Sequence, residues 1–370
     1  MKVLLVVTGL FPGGAERIVL ELVRGLLKAG HQAAVVSLQG RPEANERTIV
    51  NELERLGVHP YFLDLSLLRG YRFFTLLRII RREKPDVVHS HLMHANLTAR
   101  LAKLFRRFPL INTIHIAERR NSPVIKILFL LDRLTGRLCS RYTAVSEAAA
   151  RYHERKCHLP SGSIRTVYNG SDQVVPKTPE ELAEIRREWG LASVRKLIGA
   201  IGRLDWQKGY DIFLNRLSAL RPLIPAGEQW GILLIGDGPE RTKLQAIAAA
   251  MEQEIPEIRI VLPGYRPDAP ALLPMLDLFV MPSRYEGFGL ALTEALSLGI
   301  PALCSHADSL PELCMESPEN TMTIEFTGPD LTENYRKALA LPRLPGKVLH
   351  STEEMTAQYL ELYREVSSSK

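Results

Sequence analysis

No Asp-x-Asp pair occurs anywhere in the 370 residues, and no two cysteines stand in a CxxC spacing. The four cysteines, Cys139, Cys157, Cys304 and Cys314, are too few and too scattered for a disulfide frame or a cysteine zinc site. They read as the reduced thiols of a cytosolic protein. The longest later apolar stretch, residues 125–131, is broken by Lys126 and closed by Asp132. Nothing approaches the roughly 20 apolar residues that a membrane-spanning helix needs. The first apolar run, residues 3–7, is short and leads straight into Phe11-Pro12-Gly13-Gly14, so it reads as a buried strand and a turn rather than a leader. GxGxxG is missing, which weakens a dinucleotide reading, and no repeat of solenoid period is visible.

What is present is ordinary in amount and uneven in placement. The hydrophobic fraction of 46% and charged fraction of 24% suit a soluble globular chain long enough for two domains. Up to Gly170 there are 27 basic and 13 acidic residues, a net of +14; the remainder has 20 and 28, a net of −8. The first half should therefore attract an anionic partner: nucleic acid, anionic lipid or a phosphorylated acceptor.

Short apolar runs alternate with amphipathic stretches along the whole chain. Strands are expected at 3–7, 33–37, 86–89, 110–114 and 142–145, with helices such as 16–29 and 73–82 between them. The alternation restarts after Tyr168-Asn169-Gly170, with strands at 196–201, 231–236, 258–262, 278–281 and 301–304. This predicts an α/β protein of two Rossmann-like, doubly wound domains facing a central cleft. The charge reversal and the Asn-Gly turn place the boundary at 168/169. The first domain is residues 1–168 and the second 169–351, opening with a linker and charged helix at 180–189. A last helix falls in 352–370.

The most informative segment runs Glu286-Gly287-Phe288-Gly289-Leu290-Ala291-Leu292-Thr293-Glu294. An apolar run ending Pro282-Ser283 precedes it. It reads as a buried strand, a glycine loop and a helix opening near Leu290. Backbone N–H groups and a helix dipole then converge on one point, which suits an anion. Glu286 and Glu294 could grip hydroxyl groups on either side of a phosphate; two solvated glutamates are the plainer alternative. Gly13-Gly14 forms a similar turn after the first strand, although a tight strand–helix turn alone would explain it. Arg203 and Lys208 follow the strand 196–201 in Gly202-Arg203-Leu204-Asp205-Trp206-Gln207-Lys208-Gly209, where they could neutralise a leaving phosphate. Gly238, in Gly236-Asp237-Gly238-Pro239, could line a nucleotide pocket. His89, His91 and His94 invite a metal reading, but no third ligand spacing stands out. His115 ends a strand and could face a cleft or be structural.

Taken in order, Gly13-Gly14-Ala15-Glu16, Pro85-Asp86-Val87-Val88-His89-Ser90-His91, Val145-Ser146-Glu147, Tyr168-Asn169-Gly170, Gly202-Arg203 with Lys208-Gly209, Gly236-Asp237-Gly238-Pro239 and Glu286…Glu294 make the chain resemble the retaining glycosyltransferases of family 4, of GT-B fold. The resemblance implies a nucleotide-sugar donor, UDP- or GDP-linked, held mainly by the second domain. It implies that Glu294 binds the ribose and Glu286 the transferred sugar, with the backbone of Phe288, Gly289 and Leu290 meeting the donor. Arg203 and Lys208 would hold the diphosphate, Gly13 and Gly14 would approach it, and His115 would lie near the donor sugar. No metal and no cofactor is implied. The last helix would cross back to the first, acceptor-side domain. His306-Ala307-Asp308-Ser309 departs from the family's Gly-Gly pair before Glu312, and Ser171 stands where an apolar residue is usual.

The expected activity is retaining hexosyl transfer to a glycan or lipid-linked acceptor in bacterial surface polysaccharide synthesis. A nucleotide-sugar epimerase of the same fold and a basic nucleic-acid-binding protein are the alternatives, the latter without any recognised nucleic-acid module. Basic and apolar residues near Tyr71–Lys84, Arg100–Arg107 and Arg119–Arg141 predict docking on an anionic membrane, at the inner face of the plasma membrane of the cytoplasm.

Overall fold

The computed structural model describes residues 1–43, 48–65, 67–115 and 122–368, and divides into two compact units. The first unit comprises residues 1–170 and 350–370, the second 171–349.

Seven parallel strands build the first unit's sheet: β1 (Lys2–Val7), β2 (Gln32–Ser37), β3 (Tyr61–Phe62), β4 (Val87–His91), β5 (Leu110–Ile114), β6 (Arg141–Ala144) and β7 (Arg165–Thr166). Their order is β3-β2-β1-β4-β5-β6-β7. The central strands are buried on both faces because helices cover both, and β1 is apolar from Val3 onward; Val3 to Val7 are fully buried. Burial of each such side chain contributes about 1.5–3 kcal/mol. The expected strand at 86–89 runs on to His91, and its polar side chains find partners inside the unit at His89, at Ser90 and at His91 Nδ1. The two-residue edges β3 and β7 lack a periodic signal in the sequence.

Helix Gly14–Lys28 follows β1 and buries Ile18, Val19, Leu22, Val23 and Leu26 at helical spacing. Helix Thr352–Ser368 belongs to this unit and packs against it. A Cβ on Gly25 would lie 1.9 Å from Thr356 Oγ1, so only glycine permits that approach. Helices Phe73–Glu83 and Met93–Phe105 share one apolar core with β1, β2, β4 and β5.

The second unit's sheet has six parallel strands: β8 (Lys196–Ile201), β9 (Trp230–Ile235), β10 (Ile258–Gly264), β11 (Leu278–Met281), β12 (Ala302–Ser305) and β13 (Thr321–Ile324). Their order is β10-β9-β8-β11-β12-β13. Both sheets reverse strand order beside their first strand, which is the doubly wound pattern. Helix Pro179–Glu188 opens with a capping box between Thr178 and Glu181. The sequence suggests a linker here, but Ile185 is buried and Arg186 Nη2 donates to the Val194 carbonyl at 2.7 Å, so the segment is packed onto the second unit.

Candidate active site

The loops after β8, β9, β11 and β12 meet at the carboxyl edge of the second sheet, where ligands of open α/β sheets bind. Glycine makes the meeting possible. Gly209 has φ +67, and a Cβ there would sit 2.1 Å from the Pro282 carbonyl oxygen. Two hydrogen bonds close the same seam: Arg284 N to Gln207 O at 2.8 Å and Gln207 Nε2 to Tyr285 O at 3.1 Å. The seam carries Lys208 to Glu286, with Nζ 2.7 Å from Oε2. Ser283 Oγ donates to the same carboxylate oxygen at 3.2 Å.

Glu286 is buried and therefore depends on these partners. Its backbone is fixed from the loop after β12. Glu286 N donates to Asp308 Oδ2 at 3.0 Å, and Ser309 Oγ donates to Phe288 O at 2.8 Å. Asp308 itself adopts φ +43, a left-handed conformation that Asp tolerates better than most residues. Ser283, Asp308 and Ser309 are supporting residues that the sequence reading did not single out. The only signal was the departure from Gly-Gly at 306–309.

Gly289 caps helix Leu290–Ser297 with φ +104, and Phe288 and Glu294 are buried beside it. Lys208, Glu286, Phe288, Gly289, Leu290 and Glu294 thus share one loop–helix junction. Gly238 lies in the adjoining loop. A Cβ on it would be 2.4 Å from the Leu204 carbonyl oxygen, so its immediate role is close packing of the β8 and β9 loops. Arg203 stands apart from the pair: 69% of its side chain is exposed, and its guanidinium lies 3.9 Å from Asp205 Oδ2.

In the first unit, Gly13 and Gly14 are exposed at the start of helix Gly14–Lys28, beyond the carboxyl end of β1. His115 follows β5 at the same sheet edge and is buried. Its Nε2 lies 2.9 Å from His91 Nδ1. Burial lowers the His115 pKa to about 3 and drives that of His91 well below its ordinary value. Both rings are therefore neutral near pH 7, and one must donate while the other accepts. Leu92, next to His91, has φ +75, a conformation non-glycine residues rarely adopt.

The His89-Ser90-His91 run is used internally. His89 Nδ1 lies 2.7 Å from Tyr363 Oη, and its Nε2 lies 2.6 Å from Thr113 Oγ1. Both ring nitrogens are thereby occupied, and His94 points to solvent on the following helix. Among the described residues, one trio of potential ligands converges: Asp132, His153 and Cys157, all buried. Arg100 pairs with Asp132, whose other oxygen is 2.6 Å from His153 Nε2. Burial alone would raise the Asp132 carboxyl, but the His153 hydrogen bond and the Arg100 charge bring it below its ordinary value.

Two family models cover most of the chain. Glycosyltransferase Family 4 matches residues 12–173, and Glycosyl transferases group 1 matches residues 195–340. The chain belongs to the family-4 type of glycosyltransferases with the GT-B fold. It is 31% identical over 223 residues to the lipopolysaccharide core biosynthesis mannosyltransferase LpsB of Rhizobium meliloti, with 55% of this chain and 62% of that one covered. It is 24% identical over 251 residues to the UDP-Gal:alpha-D-GlcNAc-diphosphoundecaprenol alpha-1,3-galactosyltransferase of Escherichia coli, covering 66% and 64%. The chain thus spans less than two thirds of the length of these two relatives. Anabaena HepE, solved in complex with UDP and glucose, superposes with a TM-score of 0.81 at 19% identity over 98% of this chain and 99% of that one. That likeness is one of fold.

Proposed function

We propose that the protein moves a hexose from a UDP- or GDP-sugar to a glycan or lipid-linked acceptor, with retention at the anomeric carbon and without a metal. The observation carrying this reading is the Lys208–Glu286 pair at the glycine-capped start of helix Leu290–Ser297. A cation, a carboxylate and a turn of backbone N–H groups within one junction suit a sugar joined to a diphosphate.

In this reading Lys208 meets the departing diphosphate while Glu286 accepts hydrogen bonds from hydroxyls of the transferred sugar. Glu294, one turn into the helix, takes the ribose hydroxyls. The backbone of Phe288, Gly289 and Leu290 contacts the donor, and Gly238 lines the nucleotide side. Arg203, exposed and free to swing on its long side chain, closes on the diphosphate when the donor arrives. The backbone at Gly13 and Gly14 approaches a phosphate at the first sheet's edge, and neutral His115 acts as a hydrogen-bonding group rather than a cation. Retention requires the acceptor to attack the face that the leaving group vacates. The leaving phosphate takes the acceptor's proton, so no carboxylate needs to be the nucleophile. Lys208 and Arg203 stabilise the negative charge that develops.

The mannosyltransferase and galactosyltransferase relatives support a surface-polysaccharide pathway and, for the second, a diphosphoundecaprenol-linked acceptor. HepE, holding UDP and glucose, supports the nucleotide-sugar donor. The reading places the protein at the inner face of the plasma membrane. Thermal-shift screening of UDP-, GDP- and ADP-sugars, followed by NMR of the product's anomeric configuration, tests it. An inverted product would overturn retention. An epimerised donor without an acceptor product would favour an epimerase.

A further inference from the structure

Helix Pro123–Thr135 is built inside out. Ser122 Oγ caps it by accepting from Ile125 N, and Pro123 takes its first turn. Its buried residues are Phe129 and Asp132 alone. Val124, Ile127, Leu130, Leu131 and Leu134 are each 42–69% exposed. Val124, Ile127, Leu131 and Leu134 fall at i, i+3, i+7 and i+10, one face of a helix, and that face is turned to solvent. Helices that cover a sheet do the reverse.

The inverted setting has an identifiable anchor. Asp132 points inward to Arg100 of helix Met93–Phe105 and to His153 of helix Glu147–Cys157. Arg100 is fully buried, donates from Nε to Asn112 Oδ1 at 2.6 Å, and lies over the Tyr142 ring. Turning the helix to bury its leucines would pull Asp132 away and leave the Arg100 charge buried without its carboxylate. The ion pair therefore holds the apolar face outward.

The surroundings are positive. Lys126, Arg133 and Arg137 are exposed on or just after this helix. On the neighbouring helix Leu101, Leu104 and Phe105 are also exposed. Beside Phe105 opens a hollow of about 420 Å³ whose charged lining is Arg81, Lys84, Arg106 and Arg107, with no carboxylate. Helices Phe73–Glu83, Met93–Phe105 and Pro123–Thr135 contain two acids. Glu83 pairs with Lys2, and Asp132 with Arg100. Arg119 and Arg120, which the sequence reading also enlisted, lie outside the described residues.

We propose that the outward face of helix Pro123–Thr135 is the element by which the first unit seats itself in an anionic bilayer. The helix lies in the plane of the headgroups, with Ile127, Leu131 and Leu134 immersed and Lys126 and Arg133 on lipid phosphates. An anionic bilayer is the occupant that the charge selects, since it offers apolar depth under a continuous negative surface. At about 20 Å the helix is too short to cross, and no helix among the described residues is long and apolar enough to do so. The proposal deepens the reading of a lipid-linked acceptor and rests on it for its purpose, not for its test.

The test is co-sedimentation of the full chain with vesicles of phosphatidylcholine, with or without phosphatidylglycerol. The protein should sediment with the anionic vesicles, and less as salt rises. Ile127→Ser/Leu131→Ser/Leu134→Ser should lower partitioning at least about tenfold, with an unchanged melting temperature. Lys126→Glu/Arg133→Glu, which leaves the apolar face intact, should also lower it and flatten the salt dependence. Equal recovery with neutral and anionic vesicles would overturn the proposal, as would a triple-serine variant that partitions like the parent. So would a parent that binds no vesicle but forms a dimer that the serines break, because a second copy would then cover the face. If no nucleotide-sugar shifts the melting temperature, the transfer reading fails while the vesicle result still stands alone.

Discussion

Lys208 Nζ lies 2.7 Å from Glu286 Oε2 across 78 positions of sequence, each residue at the end of a different strand connection. The pair is largely shielded, with side-chain exposures of 18% and 9%. A cation so placed is aimed before any ligand arrives, and its charge is screened less than at the surface.

Lys208→Met and Glu286→Gln should each lower kcat by about 10²–10³, the usual cost of removing one preorganised electrostatic partner. Because the two residues act as a pair, the double variant should lose little more than the worse single one. Purified variants assayed for sugar transfer and compared by circular dichroism decide this. Near-parental turnover in either would remove that residue from the site.

Asp308→Ala should loosen the Glu286 loop by removing the acceptor of its backbone N–H. Turnover should fall about ten- to a hundredfold, since a lost hydrogen bond to a charged group is worth about 1.5–3 kcal/mol. Asp308→Asn should recover most of it, as Asn also accepts and also tolerates the left-handed backbone. Failure of Asn to rescue would show that the charge of Asp308, rather than its hold on Glu286, is what counts.

Chelation by EDTA should leave transfer unchanged if Lys208 and Arg203 supply the charge opposite the diphosphate. Loss of activity that Mg²⁺ or Mn²⁺ restores would require a metal in its place.

Three of the buried histidines of the first unit, His89, His91 and His115, predict an acid-labile fold. Burial lowers His89 and His115 from 6.5 to about 3, and His91 is lowered as well. Between those values the unfolded chain takes up protons that the folded chain does not. Stability is therefore fully present above pH 6.5 and falls as pH drops towards 3, at about 1.4 kcal/mol per pH unit for each of His89 and His115. Melting followed through that window should show the decline, and His89→Gln should make it shallower. A melting temperature that stays flat across the window would contradict it.

Much of the fold was legible because strands buried on both faces and helices buried on one leave different periodicities. The expected strands at 110–114, 196–201 and 278–281 coincide with β5, β8 and β11. The helix expected near Leu290 begins there. The two-residue strands β3 and β7 could not be read, since two residues have no period. At the candidate site, the sequence supplied Glu286 and Glu294 with the glycine loop between them, and Lys208 separately.

Spacing along one chain fixes which residues share a strand end or a helix face, because 2.0 and 3.6 residues per repeat are local properties. It does not fix which loops meet. That Lys208 reaches Glu286 was decided by the fit of Gly209 against the Pro282 carbonyl, a contact between segments far apart in sequence. Nor does periodicity say which way an amphipathic helix faces. In helix Pro123–Thr135 the apolar stripe alone would point inward, and the buried pairing of Asp132 with Arg100 turned it out. Turning the helix the other way would leave the Arg100 charge buried without its carboxylate, a state that is strongly disfavoured.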